Sequence, residues 1–221
     1  MTAPARRPLS TGLVSFRSHA TARLFATPAE ACANLHGPLH GPSDYDLNPG
    51  TEPLGEASLK PAAVLVPIVA RKTLSVLLTR RTDQLASHAG QIAFPGGKIE
   101  PDDGGPLAAA LRETHEEIGL TASQIEPLGF LEPYRTGTGY HITPAVALVT
   151  PGFTLRPDPS EVADVFEVPL AFLLDPANHR IDSRVWRGAE RHFYAIPYEE
   201  RYIWGATAGI IRTLSRRLFA A

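Results

Sequence analysis

The chain of 221 residues has one cysteine, Cys32, one methionine and three lysines. A single thiol excludes an internal disulfide framework and any multi-cysteine zinc or iron–sulfur site. Long hydrophobic runs are also missing. The longest, such as residues 62–70, falls far short of the ~20 apolar residues that cross a bilayer as a helix. Arg6 and Arg7 are not followed by an apolar h-region, so no secretory signal is visible. Neither sign of charge dominates: the formal net charge is −2. No global basic field therefore advertises nucleic acid or an anionic membrane. A cytoplasmic protein is expected. The alternative is a transit peptide, because residues 1–25 hold four arginines and no acid.

What remains is ordinary globular material, 43% apolar and 20% charged. A chain of this length buries about 70% of its unfolded surface. Basic residues are lopsided, 18 Arg to 3 Lys. The planar guanidinium fork suits phosphate and carboxylate, although genome base composition explains such a ratio equally well.

Two regions differ in pattern. Residues 1–60 are rich in Pro and Gly and are expected to form an irregular arm, with a short helix over 28–35 capped by Thr27. Leu13, Val14, Phe16, Leu24 and Phe25 would dock the arm on the main domain. Residues 61–221 form that domain. Apolar runs at 62–70 and 73–79 predict a hairpin about Arg71-Lys72, and 91–94 a short strand stopped by Pro95-Gly96-Gly97. A helix is expected over 106–118, entered through Gly105-Pro106 and stopped at Gly119. Strands over 125–132, 141–149 and 162–168 follow, then a helix over 169–174. A hairpin over 180–186 and 191–196 precedes a closing helix over 203–219. Many strands and few helices predict a mixed sheet.

The chemistry concentrates on the helix over 106–118. Glu113, Glu116 and Glu117 stand at i, i+3 and i+4, on one face, with Cβ atoms ~5–6 Å apart. Three carboxylates so placed repel one another, and a divalent cation turns that cost into binding energy. Oxygen-rich acidic clusters suit Mg²⁺ or Mn²⁺. A bare E-x-x-E-E is more often a solvated acidic face. The Gly96-Gly97 turn before it, with Arg112 and Gly119, tips the reading toward a metal site.

These residues resemble the signature of the Nudix family: G, five residues, E, seven residues, R-E, aliphatic, any, E-E, any, G, aliphatic. Arg112 to Leu120 match it, with Thr114 at an aliphatic position. Gly97 leads to Asp103, where Asp replaces Glu and eight residues rather than seven precede Arg112. That spacing, with Leu77 to Thr82, Gly90 and Phe94 to Gly97, is similar to the coenzyme A pyrophosphatase branch. Ala86 stands where that branch ordinarily has Arg. Thr136 to Gly139, Glu161 to Leu170 and Ile203 to Ala208 extend the likeness.

The resemblance implies an α/β (α+β) fold, a Nudix-type α/β/α sandwich with a mixed β-sheet. It implies a metal-dependent hydrolase with Mg²⁺ or Mn²⁺ as cofactor, cutting coenzyme A or its thioesters to 3′,5′-ADP and 4′-phosphopantetheine. Glu113, Glu116, Glu117 and Glu161 would bind metal, together with the carbonyl of Gly96. Glu113 or Glu161 would activate water, and Arg112 would orient the acids, pairing with Asp103. Gly97, Asp103 and Gly119 are structural in this reading. Arg80, Arg81 and His88 would meet phosphate, and Tyr140 and His141 would stack on adenine. Each of these five has the plainer alternative of a strand end, loop or packed strand residue. The expected partner is a small nucleoside-diphosphate-linked molecule, with no nucleic acid and no membrane; a homodimer is an open option. The same chemistry on ADP-ribose, a dinucleotide or a nucleoside triphosphate is the first alternative. A nucleotide-sensing module without catalysis is the second, and the presence of all three helix acids weighs against it.

Overall fold

The structure, a computed structural model, describes residues 13–33, 41–51, 59–84, 88–186 and 188–219. Its helices are α1 (Leu13–Thr21), α2 (Pro28–Ala33), α3 (Pro106–Ile118), α4 (Leu170–Leu174) and α5 (Ala206–Phe219). The first seven strands are β1 (Lys60–Val69), β2 (Ser75–Arg81), β3 (Ile92–Ala93), β4 (Gly96–Lys98), β5 (Ile125–Phe130), β6 (Tyr134–Arg135) and β7 (Tyr140–Val149). Four more follow: β8 (Val162–Pro169), β9 (Arg180–Trp186), β10 (Ala189–Tyr198) and β11 (Arg201–Trp204).

The centre of the main sheet is a parallel pair. β1 runs beside β7 from Lys60↔Tyr140 to Val69↔Val149. All other pairings are antiparallel: β2 and β4 on β1, β3 and β8 on β2, and β5 and β6 on β7. Successive side chains of a strand point to opposite faces. Val66 and Ile68 of β1 and Val146 and Leu148 of β7 therefore enter one core, while Ala63, Leu65, Ala145 and Ala147 enter the other. Helices cover both faces. Ala109, Ala110 and Ile118 of α3 close the second core, and residues of α1, α4 and α5, Ile210, Ile211 and Leu214 among them, close the first. Burial on both sides is why β1 and β7 read as continuous apolar runs rather than alternating ones. The fold is the expected α/β/α sandwich with a mixed sheet. A second, small antiparallel sheet orders as β11-β10-β9.

α3 has the predicted bounds. Gly105 takes φ 122° before Pro106, and Gly119 ends the helix in the left-handed region at φ 72°, its N–H donating to His115 O at 2.9 Å. Only glycine enters that region without a steric cost.

Three expectations need correction. The Gly-Gly stop after residue 95 is itself a strand, β4, because Gly96 and Gly97 pair with Val64 and Ala63 of β1. The closing helix begins at Ala206 rather than 203: Arg201–Trp204 pair with β10 and the chain turns at Gly205, φ 63°. The arm holds a nine-residue helix, α1, whose Phe16 and Ala20 are buried in the first core, while Val14, expected to dock, lies on the outer face of the helix and is exposed. Its continuation joins the sheet at Phe25, whose N–H and O exchange hydrogen bonds with Phe130 at 3.1 and 2.8 Å. Thr27 does cap α2, accepting from Glu30 N–H at 3.2 Å. The last two residues of the helix expected over 28–35 lie outside the described residues, as does Ala86. Among the described residues no helix is long and apolar enough to cross a membrane.

Candidate active site

α3 and β4 build the site together. α3 packs its small residues on the sheet, which brings Glu113 and Glu117 over the Gly96-Gly97 backbone. A Cβ on Gly97 would overlap the Glu113 carboxyl group. A Cβ on Gly96, at φ 152°, would strike the Val64 Cα at 2.6 Å. A side chain at Gly96 would thus meet backbone, and one at Gly97 the end of the Glu113 side chain. Thr114, at the position where the family signature has an aliphatic residue, is fully buried, and its hydroxyl donates to Ala110 O at 2.6 Å. A buried hydroxyl satisfied inside its own helix costs little.

Arg112 is the hub beside the acids. Its Nε and Nη2 donate to the two oxygens of Asp103, each at 3.0 Å. Its Nη1 donates to Glu113 at 2.9 Å and Glu116 at 3.0 Å, and its Nη2 also to Lys98 O at 3.2 Å. The two-pronged bond fixes the guanidinium plane. Arg112 in turn holds Asp103 below the ordinary carboxylate range.

Glu161 arrives from a distant segment. The N–H of Arg156 donates to Ile118 O at 2.8 Å, and that of Asp158 to Glu117 O at 2.9 Å. These bonds hang the 156–161 loop on the last carbonyls of α3, and Thr82 N–H donates to Glu161 O at 2.9 Å. Glu161 then lies near enough to raise the pKa of both Glu113 and Glu117.

Glu117 is the most buried of these acids, 3% exposed. Burial, with minor help from Glu161 and Glu113, pushes its pKa up to about 8. The Arg81 guanidinium at 3.7 Å and the Gly96 N–H at 3.3 Å oppose that rise. Glu113 is raised as well, burial again being the main cause and Arg112 opposing it. Glu116 is the outer acid, its side chain 57% exposed.

Glu113, Glu117 and Glu161 line one cavity of about 1010 Å³. That is the upper end of the ~300–1,000 Å³ usual for small-molecule sites. Gly96, Gly97, Arg81, His88 and Tyr140 line it too. His88 has its Nδ1 2.7 Å from Gln91 Oε1. Arg80, the next residue along β2, points elsewhere: it lines a neighbouring hollow and stands 3.8 Å from Asp83. His141 is part-buried and does not line the cavity; burial lowers its pKa.

As the side chains stand, no three of His, Cys, Asp and Glu converge on an ion position among the described residues. Arg112 draws Glu113 and Glu116 to one side, and Arg81 stands at Glu117. The donor chemistry nonetheless fits a hard cation. The acids offer only oxygen, and Glu117 is a nearly inaccessible carboxylate with one long N–H contact. Burial disfavours the ionised form of that carboxylate, and a divalent ion would favour it.

Sequence reasoning missed several wall residues. Asp44, Tyr45 and Asn48 of the arm line the cavity. So do Arg184, Trp186, Arg191 and Trp204 of the small sheet. Trp204 falls in the 203–208 stretch of the family likeness without a role read for it; nothing local marks the others, which long-range pairing brings in.

Comparison with known proteins identifies the family. The NUDIX domain model matches residues 59–187. An uncharacterized Nudix hydrolase named NudL from Yersinia pestis is 43% identical over 162 residues, spanning 73% of this chain and 81% of the relative. NudL of Yersinia pseudotuberculosis matches equally. Among solved structures, a C. elegans Ap4A hydrolase binary complex aligns with TM-score 0.42 and 21% identity over 51% of this chain and 81% of that one. The NUDIX domain of Shewanella oneidensis NrtR, solved with ADP ribose, aligns with TM-score 0.42 and 22% identity over 59% of this chain and 84% of that one. With the family model on more than half of the chain and the helix acids assembled beside Gly96 and Gly97 of β4, this chain belongs to the Nudix hydrolase family.

Proposed function

We propose that this Nudix hydrolase is a divalent-metal-dependent diphosphatase acting on coenzyme A or its thioesters. The observation that carries the chemistry is the convergence of Glu113, Glu117 and Glu161 on one cavity above Gly96-Gly97. Mg²⁺ or Mn²⁺ bound there would neutralise the diphosphate charge and acidify water. Glu113, Glu116, Glu117 and Glu161, with the Gly96 carbonyl, are the donors for it.

The chain's own residues do the rest. Water attacks one phosphorus of the diphosphate, the bridging P–O bond breaks, and a carboxylate accepts the proton lost by water. Glu113 and Glu161 are the candidates for that base: both face the cavity, and burial raises Glu113 toward the working pH, where a general base is most effective. Arg112 positions Glu113 and Glu116. Arg81 and His88 of the branch motif and Tyr140 at the start of β7 are the substrate-facing side chains.

Coenzyme A rests on the branch motif around Arg81 and on a cavity large enough for an extended nucleotide. Incubation with Mg²⁺ or Mn²⁺ and coenzyme A, ADP-ribose, diadenosine polyphosphates and dGTP in parallel, with chromatography of the products, tests it. The expected result is preferential release of 3′,5′-ADP and 4′-phosphopantetheine. Turnover of a different diphosphate alone would keep the chemistry and discard coenzyme A. No turnover of any would leave a binding module.

A further inference from the structure

We propose that Arg184 and Arg191 form a second anion subsite of this cavity, one that takes a phosphomonoester carried by the nucleotide substrate apart from the diphosphate being cut. The two arginines are directly opposite each other on adjacent strands: Arg191 of β10 pairs with Arg184 of β9. Like charges at such a pair are destabilising, with Cβ atoms only ~4.5–5.5 Å apart. A structural role would put an acid between them. None is there: among the described residues neither arginine has an ion-pair partner. The nearest acid of that strand, Asp182, is engaged by the Tyr202 hydroxyl at 2.5 Å. Arg191 Nε is moreover buried with no hydrogen-bond partner. A buried donor left unpaired is unfavourable, and an anion bound beside it would supply the acceptor.

Arg184 and Arg191 both line the cavity that holds Glu113 and Glu117. Trp186 and Trp204 stand with them, and the Arg184 guanidinium lies 5.5 Å from the Trp204 ring. A phosphomonoester carries close to two negative charges at neutral pH and three acceptor oxygens, which matches two forks. The flanking indoles favour a planar base beside it. The subsite is also held rigidly. Asn48 Nδ2 donates to His192 O at 2.8 Å and its Oδ1 accepts from His192 N–H at 2.9 Å, clamping the strand one residue from Arg191.

The inference deepens the coenzyme A reading above and rests on it for the identity of the whole substrate, but not for the subsite's chemistry. Trp186 and Trp204 are the only tryptophans of the chain, so intrinsic fluorescence reads the site without turnover. The full-length protein is titrated with 3′,5′-ADP and with 5′-AMP, which differ in the monoester alone. Wild type is expected to bind 3′,5′-ADP at least about tenfold more tightly, the scale of one or two charge-assisted bonds. The ratio should fall to about one in Arg184→Gln/Arg191→Gln and to an intermediate value in Arg191→Lys, which keeps charge but loses the fork, each variant checked by thermal melting. A ratio of one in wild type, or an undiminished ratio in the folded double variant, overturns the subsite. Hydrolysis separates the two claims. Equal kcat/KM for coenzyme A and dephospho-coenzyme A also overturns the subsite and leaves the diphosphatase reading standing. No cleavage of coenzyme A with the binding ratio intact removes that substrate and supports the subsite.

Discussion

Arg81 Nη1 stands 3.7 Å from Oε1 of Glu117, a guanidinium facing a carboxylate that burial holds at a pKa of about 8. The contact is too long for a hydrogen bond and acts through charge. In the metal-free protein burial thus favours protonated Glu117 well above the ordinary glutamate value of 4.5, to which it returns on unfolding. Between those two values the folded state binds more protons than the unfolded one, so stability must fall as pH rises from about 4.5 to about 8. The fall from this one group cannot exceed about 1.4 kcal/mol per pH unit. Urea unfolding of metal-free protein across that window should show the decline, and Glu117→Gln should flatten it. With metal saturating, Glu117→Gln should lower kcat on the order of 10²-fold. Arg81→Gln removes the opposing charge, so divalent-ion affinity should rise with pH at a higher midpoint than in wild type. Isothermal titration with Mn²⁺ at several pH values checks this.

Arg112 is the common partner of Asp103, Glu113 and Glu116. Arg112→Ala leaves three carboxylates near one another without a cation. It should cost about 2 kcal/mol of stability, the scale of lost charge-assisted hydrogen bonds, together with most of the activity. Arg112→Lys should recover part of the charge balance but not the two-pronged bond to Asp103, and hence less than half of the lost Tm. Thermal melting beside steady-state kinetics separates the two.

Gly97 and Gly96 should respond differently to the same change. An added methyl at Gly97 meets the Glu113 carboxyl, a flexible side-chain end. Gly97→Ala should therefore fold with a Tm near wild type and lose metal affinity and kcat by tenfold or more. An added methyl at Gly96 meets the Val64 backbone at 2.6 Å and sits at φ 152°. Gly96→Ala should lower Tm outright, by the ~1–3 kcal/mol typical of overpacking. Equal Tm loss in the two variants would contradict this assignment.

How much of this was legible in the sequence depends on the range of the contacts. α3 was readable to the residue because its signals are local: Gly105-Pro106 in front, Gly119 behind, and the acid spacing on one face. β1 and β7 were readable because burial on both faces leaves continuous apolar runs. β4 was not, since Gly-Gly signals a turn and only pairing with β1 makes it a strand. β11 was absorbed into the closing helix because Ile203 continues the apolar spacing of α5. α1 was lost in a Pro-rich context, with only Phe16 and Ala20 of its residues fully buried. In the site, Glu113 and Glu117 came from spacing and Glu161 from family likeness. Arg184 and Asn48 carried no signal at all, because each reaches the cavity through a partner in a remote segment.

Asn48 and Asp44 give the arm a role that can be measured. Asp44 accepts from the Tyr134 hydroxyl at 2.9 Å and from Gly137 N–H at 2.7 Å, tying the arm to the loop before β7. Asn48 Nδ2 donates to the carbonyls of Asp44 and His192, both at 2.8 Å, so one side chain links that loop to β10. The two walls of the cavity are joined through the arm, which the family model does not cover. Asn48→Ala removes the link without touching the acids. Under the coenzyme A reading, KM should rise about tenfold while kcat changes less than twofold, the pattern of lost ground-state binding. Hydrogen exchange supplies the independent readout. The His192 amide, which donates to the Asn48 oxygen at 2.9 Å, should lose protection in Asn48→Ala, while amides in α3 keep theirs. A fall in kcat with KM unchanged, or an unaltered His192 amide, would mean that the arm does not hold this wall.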